Sequence, residues 1–273
     1  MDSASRHTLR HDLPLSEQLN ELTAAVRKTP GDVKLRTHLA QLSMVMGNWE
    51  RAVSQLQTAS QLDPASIPMA QAYREAIRCE RVRERVFAGE ISAQTVGEPA
   101  PWFAQLAQAL TSRAQGDASL ADDLQAQAFD QAAATPFSID GREVAWLADA
   151  DSRLGPLCEV FLNGQYYWLP FERIRSLEIE EPSDLRDLVW IPATLTLSNE
   201  GQHPVLIPSR YPRSHEQGND RLALSTLTEW QPLGEDTWAG LGQRMLVSDQ
   251  DDHPFLSVRK LLSLATEESV EPA

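Results

Sequence analysis

Pro30 and Pro64 stand 34 residues apart, and the pattern between them fits very few folds. Leu35, Leu39, Leu42 and Met46 recur at i, i+4, i+7 and i+11, one stripe of an amphipathic helix. Gly47-Asn48 interrupts it, and Trp49, Ala52, Val53, Leu56 and Ala59 make the apolar face of the next. Gly47 permits a tight turn, Ala52 and Ala59 allow close approach of backbones, and Leu56 fills the gap between them. The spacing predicts an antiparallel helical hairpin. An earlier stripe, Leu15, Leu19, Leu22 and Val26, predicts a helix ended by Pro30-Gly31-Asp32.

The 34-residue period is that of a tetratricopeptide repeat. The flanking segments match it poorly, so it is one repeat rather than an array. A lone repeat leaves apolar faces uncovered, and neighbouring helices must bury them. Met69 to Phe87 reads as one such helix. Pro101 to Ala134 reads as a further hairpin, with Leu106 and Leu110, a break at Gly116-Asp117, then Leu120, Leu124 and Ala128. About six helices are expected, stacked as a short α-superhelix ending near Thr135-Pro136.

Beyond Pro136 the pattern changes to short apolar runs broken by Gly, Pro and Asn. Leu157–Leu162 and Gln165–Leu169 flank Asn163-Gly164, the strongest short hairpin signal, because both turn positions need positive φ. Further strands are expected at Val189–Leu197, His203–Pro208, Gly242–Val247 and Phe255–Val258, with helical turns near Phe171–Leu177 and Leu222–Thr228. The fold class expected is α+β multidomain. Residues 1–14 form a flexible tail, 15–136 an all-α tetratricopeptide-like helical repeat domain, and 263–273 an acidic flexible tail. Residues 137–262 form a β-rich α+β domain built on a small antiparallel sheet or partly open barrel.

The formal net charge is −15, unevenly placed: 13 Lys+Arg against 16 Asp+Glu in residues 1–136, and 11 against 23 in the rest. Such a surface repels phosphate backbones and anionic lipid, which excludes nucleic acid and direct membrane contact as expected partners. Cys79 and Cys158 lie far apart and outline no disulfide framework. No apolar run reaches signal-peptide or membrane-span length, so a cytoplasmic location is expected.

No catalytic constellation emerges. His7 and His11 form the sole close histidine pair, within the expected tail. Asp149-Ala150-Asp151 opens like a calcium loop, but Arg153 takes an oxygen-ligand position and Val160 stands where a bidentate Glu is required. Asp249-Gln250-Asp251-Asp252 fails in the same way. Gly240-Leu241-Gly242 lacks the third glycine of a dinucleotide loop. No enzyme, metal or cofactor is expected.

Binding features are clearer. Arg74, Arg78, Arg81 and Arg85 fall at i, i+4, i+7 and i+11, which lines four guanidinium groups along one helical face. Such a stripe suits an acidic partner helix or an intramolecular role against the acidic second domain, although most charge runs are solvated faces. Tyr166, Trp168 and Arg173 belong to the residue types that dominate binding hot spots, and join the stripe as candidate partner-binding residues. Tyr167 points opposite to Tyr166 and Trp168 in an extended strand.

Several long motifs carry a resemblance. Trp146 to Pro156, Asn163 to Ile174, Asp184 to Trp190, Pro208 to Pro212, Thr228 to Trp230 and Gly240 to Arg244 together resemble the ImpE/SciE/TagJ family of type VI secretion accessory proteins. The resemblance spans about residues 15 to 262. It implies a helical repeat domain followed by a family-specific α+β domain. It also implies a role beside the contractile sheath, binding the N-terminal helix of the smaller sheath subunit, with an indirect link to the sheath-recycling ATPase. Within its motifs, Asp149, Asp151, Arg153 and Arg186 are expected to form a polar network at the domain junction. A rival reading makes the second half a ligand-binding or hydrolase-like β domain on a helical scaffold, and a third makes the chain a self-assembling architectural protein.

Overall fold

Local signals set the helices. The computed structural model describes residue 10 and residues 13–265. The expected tails and the His7/His11 pair lie largely or wholly outside that range. Helix α1 (Leu15–Lys28) buries Leu15, Leu19, Leu22 and Val26. Asp32 caps α2 (Val33–Val45) by accepting the Leu35 amide at 3.1 Å. Gly47, at φ 70°, makes the turn into α3 (Trp49–Leu62). A 3-10 turn at Pro64–Ser66 leads into α4 (Ile67–Phe87), the longest helix of the described residues. The hairpin α5 (Pro101–Ala114) and α6 (Ala118–Gln131) completes the helical layer, with Asp117 capping α6 through the Leu120 amide. The six expected helices are present.

The strands are β1 (Phe137–Ile139), β2 (Arg142–Val144), β3 (Leu147–Asp149), β4 (Leu157–Leu162), β5 (Gln165–Pro170), β6 (Ile174–Ile179), β7 (Trp190–Leu197) and β8 (Gln202–Pro208). They continue as β9 (Thr228–Pro232), β10 (Trp238–Gly242), β11 (Met245–Ser248), β12 (Asp252–Pro254) and β13 (Lys260–Ser263), with a short helix α7 (Asp220–Ala223) before β9. Eight of them form one antiparallel sheet in the order β2-β1-β13-β6-β7-β8-β4-β5. It is open rather than a closed barrel, and larger than the small sheet expected. A ribbon β9–β10 and a three-stranded sheet β12-β11-β3 complete the second half.

Asn163 and Gly164, at φ 49° and 70°, make the predicted turn between β4 and β5. The expected strand at Phe255–Val258 is instead a 3-10 turn at Phe255–Ser257. Phe255 and Val258 are both buried in the sheet's outer core, and three-residue spacing brings both inward only if the backbone turns. The true final strand, β13, lies just beyond. Gly242, at φ 81°, splits the expected strand Gly242–Val247 into the end of β10 and the start of β11. The helical turns foreseen at Phe171–Leu177 and Leu222–Thr228 are confined to Phe171–Arg173 and to α7.

Both faces of the large sheet are covered, which is why β4 is buried at every position. Cys158, Val160 and Leu162 join one core with Ile191, Val205 and Leu261. Leu157, Phe161, Tyr166, Trp168 and Trp190 project from the other face into the core of the helices, beside Leu39, Trp49, Val86 and Phe103. Helical layer and sheet therefore share one apolar interior.

Candidate functional site

Helix α4 positions nearly everything of interest, because its two faces have different tasks. One face enters the sheet. Arg83, 1% exposed, donates from Nε to Glu159 Oε1 at 2.6 Å and from Nη2 to Glu159 Oε2 at 2.8 Å. Its Nη1 donates to Glu80 at 2.9 Å, one turn back on the same helix. Glu80 accepts from the Trp190 indole at 2.7 Å, while Tyr166 donates to Glu159 and receives the Trp168 indole N–H at 2.6 Å. A continuous polar chain thus runs from Trp168 through Tyr166, Glu159, Arg83 and Glu80 to Trp190, wholly inside the molecule.

Burial works to lower the Arg83 pKa, but Glu159 and Glu80 hold it well above the usual value. Burial likewise works to raise the Glu159 pKa, yet Arg83 and then Arg244 keep it below the ordinary carboxylate range. Arg244 also binds Asp149 at 2.8 Å. Burial is the main reason that Asp149 is nonetheless pushed up to about 6. Arg210 has no carboxylate partner among the described residues. Its guanidinium donates to the carbonyls of Val45 at 2.6 Å, Met44 at 3.1 Å and Ala223 at 2.5 Å, and burial brings its pKa down to about 10. It thereby satisfies carbonyls at the ends of α2 and α7 that those helices leave open.

The expected junction residues divide. Asp151 accepts the backbone amide and Nε of Arg153, both at 2.9 Å, together with the Gly240 amide at 2.9 Å. The Arg153 guanidinium lies 4.8 Å from the centre of the Phe87 ring of α4. Asp149 and Asp151 are joined through the Asp151 amide at 2.9 Å. Arg186 stands apart: it pairs with Asp187 and stacks over Tyr73 at 5.2 Å. The four residues therefore form two separate contacts with α4 rather than one network. The calcium-like start at Asp149 is occupied by guanidinium groups.

The other face of α4 is open. Arg74, Arg78, Arg81 and Arg85 are all exposed, and they line a groove of about 650 Å³ whose apolar wall is Val53, Ile77 and Val82. Arg81 pairs with Glu50 of α3 and Arg85 with Glu90, while Arg78 donates to the Gly164 carbonyl at 3.2 Å.

Tyr166 and Trp168, expected at a partner surface, are 3% and 0% exposed and face α4 instead, because the helical layer covers that side of β5. Arg173 is committed to the chain itself, donating to the carbonyls of Val96 and Glu98. Tyr167 does point the other way, toward the outer core.

Glu80, Arg83, Glu159, Arg210 and Arg244 were not singled out from the sequence. One signal was available: Glu159 is a lone carboxylate within the apolar run Leu157–Leu162, where a charge survives only if paired.

Residues 141–262 match the ImpE protein family. Across 247 residues, 90% of this chain and 86% of the relative, the sequence is 46% identical to the type VI secretion system accessory component TagJ of Pseudomonas aeruginosa. The chain belongs to the ImpE family. The crystal structure of protein VPA1032 from Vibrio parahaemolyticus shares the fold, with a TM-score of 0.85 at 24% identity over 93% of this chain and 95% of that one. In this ImpE chain the matched region carries Glu159, Arg210 and Arg244, while Glu80 and Arg83 come from the helical layer before it. Among the described residues no helix is long and apolar enough to cross a membrane.

Proposed function

We propose that this chain is a non-enzymatic, cytoplasmic adaptor of the type VI secretion machine that grips the small subunit of the contractile sheath. The contact proposed is that subunit's N-terminal helix, seated in the groove beside α4. Family membership and the name carried by the Pseudomonas relative supply the setting. The observation that carries the reading is the groove itself: four exposed arginines above an apolar wall, in a protein of net charge −15. An amphipathic helix with an acidic flank is the natural complement of such a surface. Any link to the sheath-recycling ATPase then runs through the sheath subunit.

The rival hydrolase-like reading has less support. Asp149, Asp151 and Glu159, the most deeply buried carboxylates of the sheet half, are aimed at Arg244, Arg153 and Arg83 rather than at open space.

Calorimetric titration of the full chain with a peptide of the sheath subunit's N-terminal helix tests the proposal. Saturable binding at micromolar affinity or better is expected. Arg74, Arg78, Arg81 and Arg85 reversed together to Glu should abolish it. Absence of heat with the wild-type chain, together with no competition at high concentration, would overturn the adaptor reading.

A further inference from the structure

A second depression adjoins the arginine groove. It is a cleft of about 260 Å³, and Arg78 and Val82 belong to the walls of both. Val82 and Val86 of α4 form one side of the cleft, Ile91 and Ala93 of the following loop another, and Tyr166 beside the β4–β5 turn the third. Cys79 lies among them, buried, with burial raising its thiol to about 12, so this part of the cleft is neutral and weakly polar.

The walls are held in place before any partner arrives. Gln94 bridges to Tyr167 and accepts the Trp168 amide at 2.8 Å, which fixes the loop along the edge of β5. Arg173 holds the same loop at Val96 and Glu98. Arg78 reaches over the rim to Gly164, a position where a Cβ would stand 2.8 Å from its Nη2. The glycine of the turn is what lets that arginine lie between the two depressions.

We propose that the docking site is composite. The acidic flank of a partner helix lies along Arg74, Arg78, Arg81 and Arg85, and one aliphatic or aromatic side chain of that helix enters the cleft between α4 and the β4–β5 turn. The chain is strongly acidic overall, yet the groove is lined by these four arginines and a single carboxylate, Glu75. Arg74 and Arg78 carry no ion pair among the described residues, whereas Arg81 and Arg85 are each opposed by an exposed glutamate. The stripe is about 16 Å long at the α-helical rise, which asks for a partner helix of at least three turns. The apolar anchor adds specificity that charge alone does not give, because an acidic helix lacking it cannot fill the cleft.

This deepens the adaptor reading and rests on it. The test uses the full chain, the same sheath-subunit peptide, and two variants that fill the cleft from its loop wall, Ile91→Trp and Ser92→Trp. Each should weaken binding at least tenfold, with the salt dependence of binding and the melting curve unchanged. Reversing Arg74 and Arg78 to Glu should instead flatten the salt dependence. Alanine replacement of the peptide's apolar residues should reveal one position that matters on the wild-type protein and not on the cleft-filled variants. Undiminished binding by both tryptophan variants would overturn the composite site and leave the adaptor reading standing. No binding by the wild-type chain would overturn both.

Discussion

Arg83 of α4 and Glu159 of β4 meet in a two-pronged ion pair at 2.6 and 2.8 Å, with both side chains shut off from solvent. They are 76 residues apart in sequence, and their pairing is the polar centre of the contact between helices and sheet. Removing either one leaves the other buried charge without its main partner, with Glu80 still beside Arg83 or Arg244 still beside Glu159. Arg83→Ala or Glu159→Gln should therefore cost about 3–5 kcal/mol, measured as the loss of unfolding free energy in urea. Replacing both with Met and Leu should cost clearly less than either single change.

The shared interior predicts a single unfolding transition for the intact chain. Scanning calorimetry should give equal calorimetric and van't Hoff enthalpies. Residues 1–136 expressed alone would expose the surfaces around Trp49 and Phe103 that Trp190 and Trp168 cover. That fragment should bind a hydrophobic dye and melt without a sharp transition.

Gly47 links the repeat turn to the far half of the chain. A Cβ there would stand 2.0 Å from the His215 ring, at a backbone φ of +70°. Gly47→Ala should cost about 1–3 kcal/mol for overpacking and a further 1–2 for the left-handed conformation. Denaturant titration measures the sum.

His215 gives the stability a pH signature. Burial, then the neighbouring Arg210, brings its pKa down from 6.5 to about 4, with Glu80 and Glu216 opposing and Arg83 adding to the fall. The ring packs edge-on against Trp49 at 5.5 Å. The unfolded chain takes up this proton first as pH falls, so the contribution is complete above about 6.5 and disappears on approach to about 4. It amounts to on the order of 3 kcal/mol. Asp149 acts in the opposite sense: its raised pKa contributes stability at low pH that is lost as pH climbs through about 6. Comparing unfolding free energies at pH 7 and pH 4.5, His215→Gln should lose less on acidification than the wild type.

Reversing Arg81 or Arg85 to Glu should leave the unfolding free energy within about 1 kcal/mol of wild type, because exposed ion pairs contribute little. Peptide binding should nevertheless weaken. That separation of stability from affinity distinguishes the outward face of α4 from its inward face.

The sequence by itself determined what depends on near neighbours. The leucine stripes of α1 and α2, the Gly47 turn and the Asn163-Gly164 hairpin were all legible, because backbone preference and helical period act over a few residues. The spacing of Arg74, Arg78, Arg81 and Arg85 on one face followed from the same period. Tertiary structure alone decided which face each element buries and what it meets there. Arg83 sits only two residues from Arg81, yet that rotation about the helix axis takes it from solvent to a buried carboxylate. Tyr166 and Trp168 looked suited to a partner and became core, because α4 and α5 cover their side of β5. Phe255 and Val258 read as a strand from composition, while the outer core needed both side chains on one side and so imposed a turn. Pairings such as Arg83 with Glu159, or Arg210 with the end of α2, join residues with no local relation, and only the packing of helices on the sheet brings them within reach.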